Sequence, residues 1–192
     1  HGYFNLDVKC NWKFAIENYC ESYHLPTIHP ELNKVSNIND HYHIQGLPNR
    51  FAGQGSKKYE QVIKGNKKFN TFPNWKKDMV KSSEYIAIFP NVMIGLHVDH
   101  FYVFWLEPIS INKTKEHMQM YYVGDNSANS EELKDLRKEN ARFWKDVMLE
   151  DVGAIEGMQE GRHSPIYNGG NFSPVMDQPT HQFHKWVANS LI

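Results

Sequence analysis

The chain has 192 residues, 40% of them hydrophobic, 14% aromatic and 22% charged, with a formal net charge of -1. That length buries one substantial core without requiring a second, and the near-neutral charge gives no global attraction to nucleic acid or to an anionic membrane surface. No apolar run approaches the roughly 18 residues of a membrane span and no signal peptide is visible, while two cysteines without a CxxC, Cys10 and Cys20, favour a reducing, cytoplasmic compartment over a disulfide framework.

The opening His1-Gly2-Tyr3-Phe4 runs directly into an alternating segment with no initiator methionine, and it reads as the cut edge of a longer protein. Alternation over 3–9 predicts a strand. Asn11 then stands as an N-cap before Trp12, Ile16, Tyr19 and Tyr23, which recur on one helical face, and the helix should stop near Pro26. From 31 to 83 the chain is polar, with short apolar pieces near 42–45, 50–52 and 59–63. One or two edge strands and long loops are expected there, with the lysine-dense stretch 57–81 lying on the surface. Strands are predicted at 85–89, 92–96, 102–106 and 117–123, separated by turn signals that suit an antiparallel meander. Asn129 and Glu132 have capping-box spacing ahead of a long helix whose stripe runs from Leu133 through Trp144, Val147 and Met148 to Met158, with Gly161 as its stop. A loop follows to Met176, then a last helix from Pro179 to Leu191. Helices flanking a block of strands make this an α+β chain, read as a single domain over 1–192.

The segment most loaded with chemistry is 11–30. On a continuous helix Glu17, Glu21 and His24 fall within about 60° of one another, which sets carboxylates beside an imidazole. Such carboxylates orient a ligating histidine. His24 and His29 would lie about 140° apart on an unbroken helix, so a bend at Pro26 and Pro30 is needed to bring them together. Asp151 falls on the apolar stripe of the long helix, where a carboxylate requires a cation, a metal or several donors. An ion pair to Arg142, Arg162 or a histidine would satisfy it structurally. Two histidines and one carboxylate form a facial triad suited to non-haem Fe(II), and zinc hydrolases use the same donors. The pairs His41/His43, His97/His100 and His181/His184 have no matching carboxylate on an apolar face and are read as non-ligands. His97, Asp99 or His100 are candidate substrate contacts, and Cys10 and Cys20 are read as packing residues.

The run Asn11-Trp12-Lys13, Glu17-Asn18, Glu21, Tyr23-His24 and His29-Pro30 resembles the iron-binding signature of Rieske non-haem iron ring-hydroxylating oxygenase large (alpha) subunits. Glu150-Asp151 with Glu156, Gln159 and Gly161 resembles the family segment that supplies the carboxylate. Pro90-Asn91-Val92-Met93 and His97-Val98-Asp99-His100 are most similar to the choline/glycine betaine monooxygenase-like branch.

The resemblance implies a helix-grip (START/Bet v1-like) domain, a curved antiparallel sheet with a long C-terminal helix over a pocket. It implies iron ligation by His24, His29 and Asp151, with Asn18 next to the iron and Glu21 as the acidic bridge for an electron from a neighbouring subunit. It further implies mononuclear Fe(II), O2 as co-substrate, a 2Fe-2S cluster on a Rieske domain, NAD(P)H through a separate reductase, a homotrimer, and hydroxylation or demethylation of a quaternary amine or aromatic compound. The chain has no Cys-x-His or Cys-x-x-His element, so the Rieske domain is expected to be absent from it. Pocket walls are expected from Phe89, Met93, Leu96, Phe101 and Phe104. The rival readings are a metal-free helix-grip ligand-binding module and a zinc hydrolase with Glu21 or Glu17 as base.

Overall fold

Strict two-residue alternation of burial carries the centre of the chain, and a computed structural model describes residues 2–60, 66–75, 77–79 and 81–191. The strands are β1 (Tyr3–Val8), β2 (His41–Ile44), β3 (Phe51–Ser56), β4 (Ser83–Ile88), β5 (Val92–Leu96), β6 (His100–Ser110) and β7 (Lys113–Tyr122). They form one antiparallel sheet in the order β1-β7-β6-β5-β4-β3-β2. Residues i and i+2 share a face, so Tyr85 and Ala87, Met93 and Gly95, Tyr102 and Phe104, and Met118 and Met120 all turn to the buried side. Register aligns Tyr85, Gly95, Tyr102 and Met120 in one row across four strands. A Cβ on Gly95 would come within 2.2 Å of the Tyr102 ring, so a glycine is what lets that ring lie across its neighbour.

The main helices are α1 (Trp12–Cys20), α5 (Lys134–Arg162) and α6 (Gln178–Asn189), with short α2 (Leu25–Ile28), α3 (Pro30–Val35) and α4 (Gly124–Asn129) between them. As its sequence implies, α1 starts at Asn11, whose side-chain oxygen accepts from the Lys13 amide. Phe14 and Ile16 from α1, Trp144, Val147, Met148 and Ile155 from α5, and Phe183 from α6 join the inner face of the sheet in one core. Trp144 is its largest fully buried side chain. Truncating a tryptophan in such a setting typically costs about 3–5 kcal/mol.

Several boundaries differ from expectation. Helix α1 ends at Cys20 rather than near Pro26, because Glu21 already adopts extended backbone. Strand β3 is internal, between β4 and β2, so only β2 of that pair is an edge. Strands β6 and β7 extend to a turn at Ile111–Asn112, and Pro108 is accommodated where the register shifts between Pro108 and Ser110. The expected capping box does not form: the Asn129 amide donates to Asp125 within α4, and α5 begins at Lys134 with no side-chain cap. In its place Arg137 reaches back to the carbonyls of Ser127 and Ser130, both at 2.9 Å. Positions 61–63 of the apolar piece 59–63, and Lys64 and Lys76 of the lysine-dense stretch, lie outside the described residues. Among the described residues no helix is long and apolar enough to cross a membrane.

Candidate metal centre

After α1 the chain turns through Ser22 and Tyr23, and two short proline-started helices follow. His24 is the N-cap of α2 and His29 is both the C-cap of α2 and the N-cap of α3. Pro26 and Pro30 occupy first-turn positions, where proline's missing amide costs nothing. This double bend, rather than a continuous helix, brings the rings of His24 and His29 to 5.0 Å between centroids.

Asp151 arrives from the middle of α5. Its Oδ1 lies 2.9 Å from His29 Nε2 and 3.7 Å from His24 Nε2. One donor atom from each of His24, His29 and Asp151 falls within 4.8 Å of the others, so a single cation could touch all three. The outer nitrogen of each imidazole is held by a carboxylate. His24 Nδ1 pairs closely with Glu21, and His29 Nδ1 lies 2.8 Å from Glu150 Oε2. A carboxylate behind Nδ1 keeps the proton there and leaves Nε2 as the inward lone pair, as a metal ligand requires. Asn18 donates its side-chain amide to Asp151 Oδ1 at 2.8 Å. Burial opposes charging His29, but Asp151 and Glu150 together outweigh it and hold its pKa above the ordinary histidine value. The donor set and its carboxylate backing fit a divalent first-row metal.

The remaining expected roles divide. Glu17 does not reach His24; its carboxylate meets Arg162 at 3.3 Å and His184 at 3.0 Å. Arg142 pairs with Asp146, so neither arginine serves Asp151. Cys10 and Cys20 are buried free thiols, and burial, with Glu116 and Glu156 adding to it, pushes Cys10 up to about 12.

A cavity of about 50 Å³ opens beside the three donors, walled by Tyr19, Tyr85, Tyr102 and Trp144 with Leu25, Leu32, Val147 and Met148. The expected walls are corrected. Phe89 packs on Phe183 and Trp186, and Phe101 stacks on Tyr121 on the other face of the sheet. Leu96 shares Phe101's cross-strand row, while Met93 and Phe104 are buried one row away from Tyr85 and Tyr102. Trp144 was discoverable, since it precedes Asp151 by two helical turns on the same face. His41, read from the sequence as a non-ligand beside His43, and Gln54, to which no sequence signal pointed, also line the cavity. His41 bonds Ser36 and Gln54, and Gln54 donates to the Glu21 carbonyl at 2.6 Å. Burial dominates at His41 and lowers its pKa.

The family described as ring hydroxylating alpha subunit (catalytic domain) matches residues 1–191. The chain belongs to this family. Putrescine 2-hydroxylase of Ralstonia nicotianae is 25% identical, over 94% of this chain and 51% of the relative. The chloroplastic choline monooxygenase of Spinacia oleracea is 24% identical, over 96% of this chain and 38% of the relative. The crystal structure of the quaternary ammonium Rieske monooxygenase CntA with L-carnitine superposes with a TM-score of 0.69 at 19% identity, covering 98% of this chain and 48% of that one. The fold is therefore a mixed α and β arrangement on a large antiparallel sheet, matching Rieske oxygenase catalytic domains. The chain spans about half or less of the length of these relatives.

Proposed function

We propose that residues 1–192 are the catalytic domain of a Rieske-type oxygenase, in which His24, His29 and Asp151 hold one Fe(II) and O2 is used to hydroxylate or demethylate a small organic substrate. The observation that carries this reading is the convergence of two carboxylate-backed imidazoles from the 24–29 turn with a carboxylate from α5. An iron ion held by His24, His29 and Asp151 would supply the activation of dioxygen.

The protein's own residues do the rest. Glu21 and Glu150 retain the Nδ1 protons of His24 and His29 and fix their ring orientations. Asn18 fixes the Asp151 carboxylate, and Gln54 anchors the backbone of Glu21. Tyr19, Tyr85, Tyr102 and Trp144 exclude water and position the substrate. Their faces favour a quaternary ammonium or related amine through cation–π contact, in keeping with relatives named for putrescine, choline and carnitine; an aromatic substrate would stack on the same walls. Glu21 pairs with His24 and, with it, borders a surface groove lined by Glu17, Tyr23 and Thr27, which suits it to pass an electron from a neighbouring subunit. In this reading a 2Fe-2S cluster outside these 192 residues and an NAD(P)H-linked reductase supply electrons, the assembly is a homotrimer in the cytoplasm, and α5 lies across a helix-grip sheet.

Anaerobic reconstitution with Fe(II) followed by metal analysis tests the assignment. About one iron per chain is expected, lost in His24→Ala, His29→Ala and Asp151→Ala. Zinc bound in place of iron and lost in the three variants would point to a hydrolase, whereas no iron, or zinc that survives the substitutions, would overturn the site and turn the reading to a metal-free ligand-binding module.

A further inference from the structure

Behind the cavity wall a buried hydrogen-bond chain runs from the β5–β6 turn to α5. Asp99 Oδ1 lies 2.6 Å from His100 Nδ1, and Trp144 Nε1 donates to His100 Nε2 at 2.9 Å. His100 is 0% exposed and Trp144 1% exposed, whereas Asp99 keeps 17% of its side chain in contact with solvent. An indole N–H can only donate, so Nε2 of His100 must be its unprotonated nitrogen. The ring proton therefore sits on Nδ1 and is donated to Asp99. The carboxylate thus selects the one neutral tautomer that can accept from Trp144. The ring of His100 is also clamped flat against His97, at 4.4 Å and 11°.

The other side of the same indole faces the cavity, seven residues ahead of Asp151 on α5. Trp144 contacts Tyr102 at 4.9 Å between centroids and Tyr85 at 6.4 Å, so any rotation of the indole reshapes the aromatic wall.

We propose that Asp99 and His100 are a positioning pair that pins the Trp144 indole as a fixed wall of the cavity, and so set which substrates fit beside the candidate metal centre. The inference deepens the functional reading above and rests on it for the statement that the cavity receives substrate. Neither residue touches the cavity, so their effect is exerted through Trp144.

The test uses the full-length, iron-loaded protein and compares His100→Leu, His100→Gln and Asp99→Asn. Choline and its neutral carbon isostere dimethylbutanol serve as ligand probes in calorimetric titration. Ultraviolet resonance Raman reads the indole hydrogen bond, with Trp144 isolated by subtracting Trp144→Phe. His100→Leu removes the acceptor, so the Trp144 signal should move to that of a free indole N–H. Choline affinity should fall about tenfold, the equivalent of one lost hydrogen bond, with iron content unchanged. His100→Gln carries an amide oxygen near the position of Nε2 and should restore both the signal and most of the affinity. Asp99→Asn, which no longer enforces the tautomer, should fall between them. An indole signal unchanged in a folded His100→Leu protein overturns the proposal, as does a shifted signal with unaltered binding of both probes. If the native protein binds neither probe, the substrate reading fails, and the Raman series alone then decides whether His100 holds the indole. Should His100→Leu fail to fold, the comparison of His100→Gln and Asp99→Asn with the native protein carries the same decision.

Discussion

Glu116 sits in β7 with 3% of its surface exposed, directly between the buried Leu6 of β1 and Leu106 of β6. Burial first, and the charge of Asp151 second, raise its pKa from 4.5 to about 8. With the folded-state pKa above the unfolded one, the native protein keeps this proton while the unfolded chain loses it. Its contribution to stability is therefore undiminished below about pH 4.5 and declines as the pH rises toward about 8. Glu116→Gln keeps the shape and removes the titration. Denaturant unfolding of the two proteins should agree near the acid end of that window and diverge in favour of the glutamine variant at its alkaline end; parallel curves throughout would show that Glu116 ionises freely in the fold. The same contrast between a side chain's type and its setting explains the candidate site. His24, His29 and Asp151 were legible because proline-broken histidines and a carboxylate on an apolar stripe are costly without a shared purpose. Their supports were legible only in part: Glu21 and Asn18 stand near the histidines in sequence, whereas Gln54 and Glu150 act across distances that no local pattern encodes.

Among the elements, those with a clean period could be read and those without could not. The alternation at 85–89 and 92–96 marks β4 and β5, and the helical stripe through Trp144 and Met148 marks α5. Strand β3 hides because Gly53 and Gly55 carry no side chains to alternate, and its place inside the sheet follows from pairing with β2 and β4. The pocket walls were misplaced because alternation shows that two faces differ without saying which one is inner. Helix α5 illustrates a substitution of one device for another at an element's start. The predicted cap was local, but the observed restraint is Arg137 gripping two carbonyls in the preceding turn. Arg137→Met retains the aliphatic bulk and removes both donors, so thermal or denaturant melts should show a loss of about 1–3 kcal/mol. A change within a few tenths would mean that packing alone holds the start of α5.

At the scale of the whole molecule, the candidate metal site joins the 24–29 turn to the middle of α5, two parts of the chain far apart in sequence. Any ion that prefers the native arrangement stabilises the entire fold by mass action. At free metal about a hundredfold above its dissociation constant the gain is about 2.7 kcal/mol, which for a chain of this size is an upward shift of about 5–10 °C in Tm. Scanning calorimetry with and without Fe(II) under anaerobic conditions should show that shift in the native protein and none in Asp151→Ala. Equal shifts in both would place the stabilising ion elsewhere.

The strand order carries one more consequence, for the sequence of events during folding. From β2 to β7 every strand pairs with its immediate successor, and apart from the long 57–82 connection between β3 and β4 that part of the sheet closes through short chain loops. By contrast β1, which registers Tyr3 against Gln119, α5, which must reach the 24–29 turn, and α6, whose His184 meets Glu17, each span most of the chain. Closing long loops is entropically the slower step. The meander can therefore assemble while the imidazoles and the carboxylate are still apart, and the candidate metal cluster is completed late, on a scaffold that already exists.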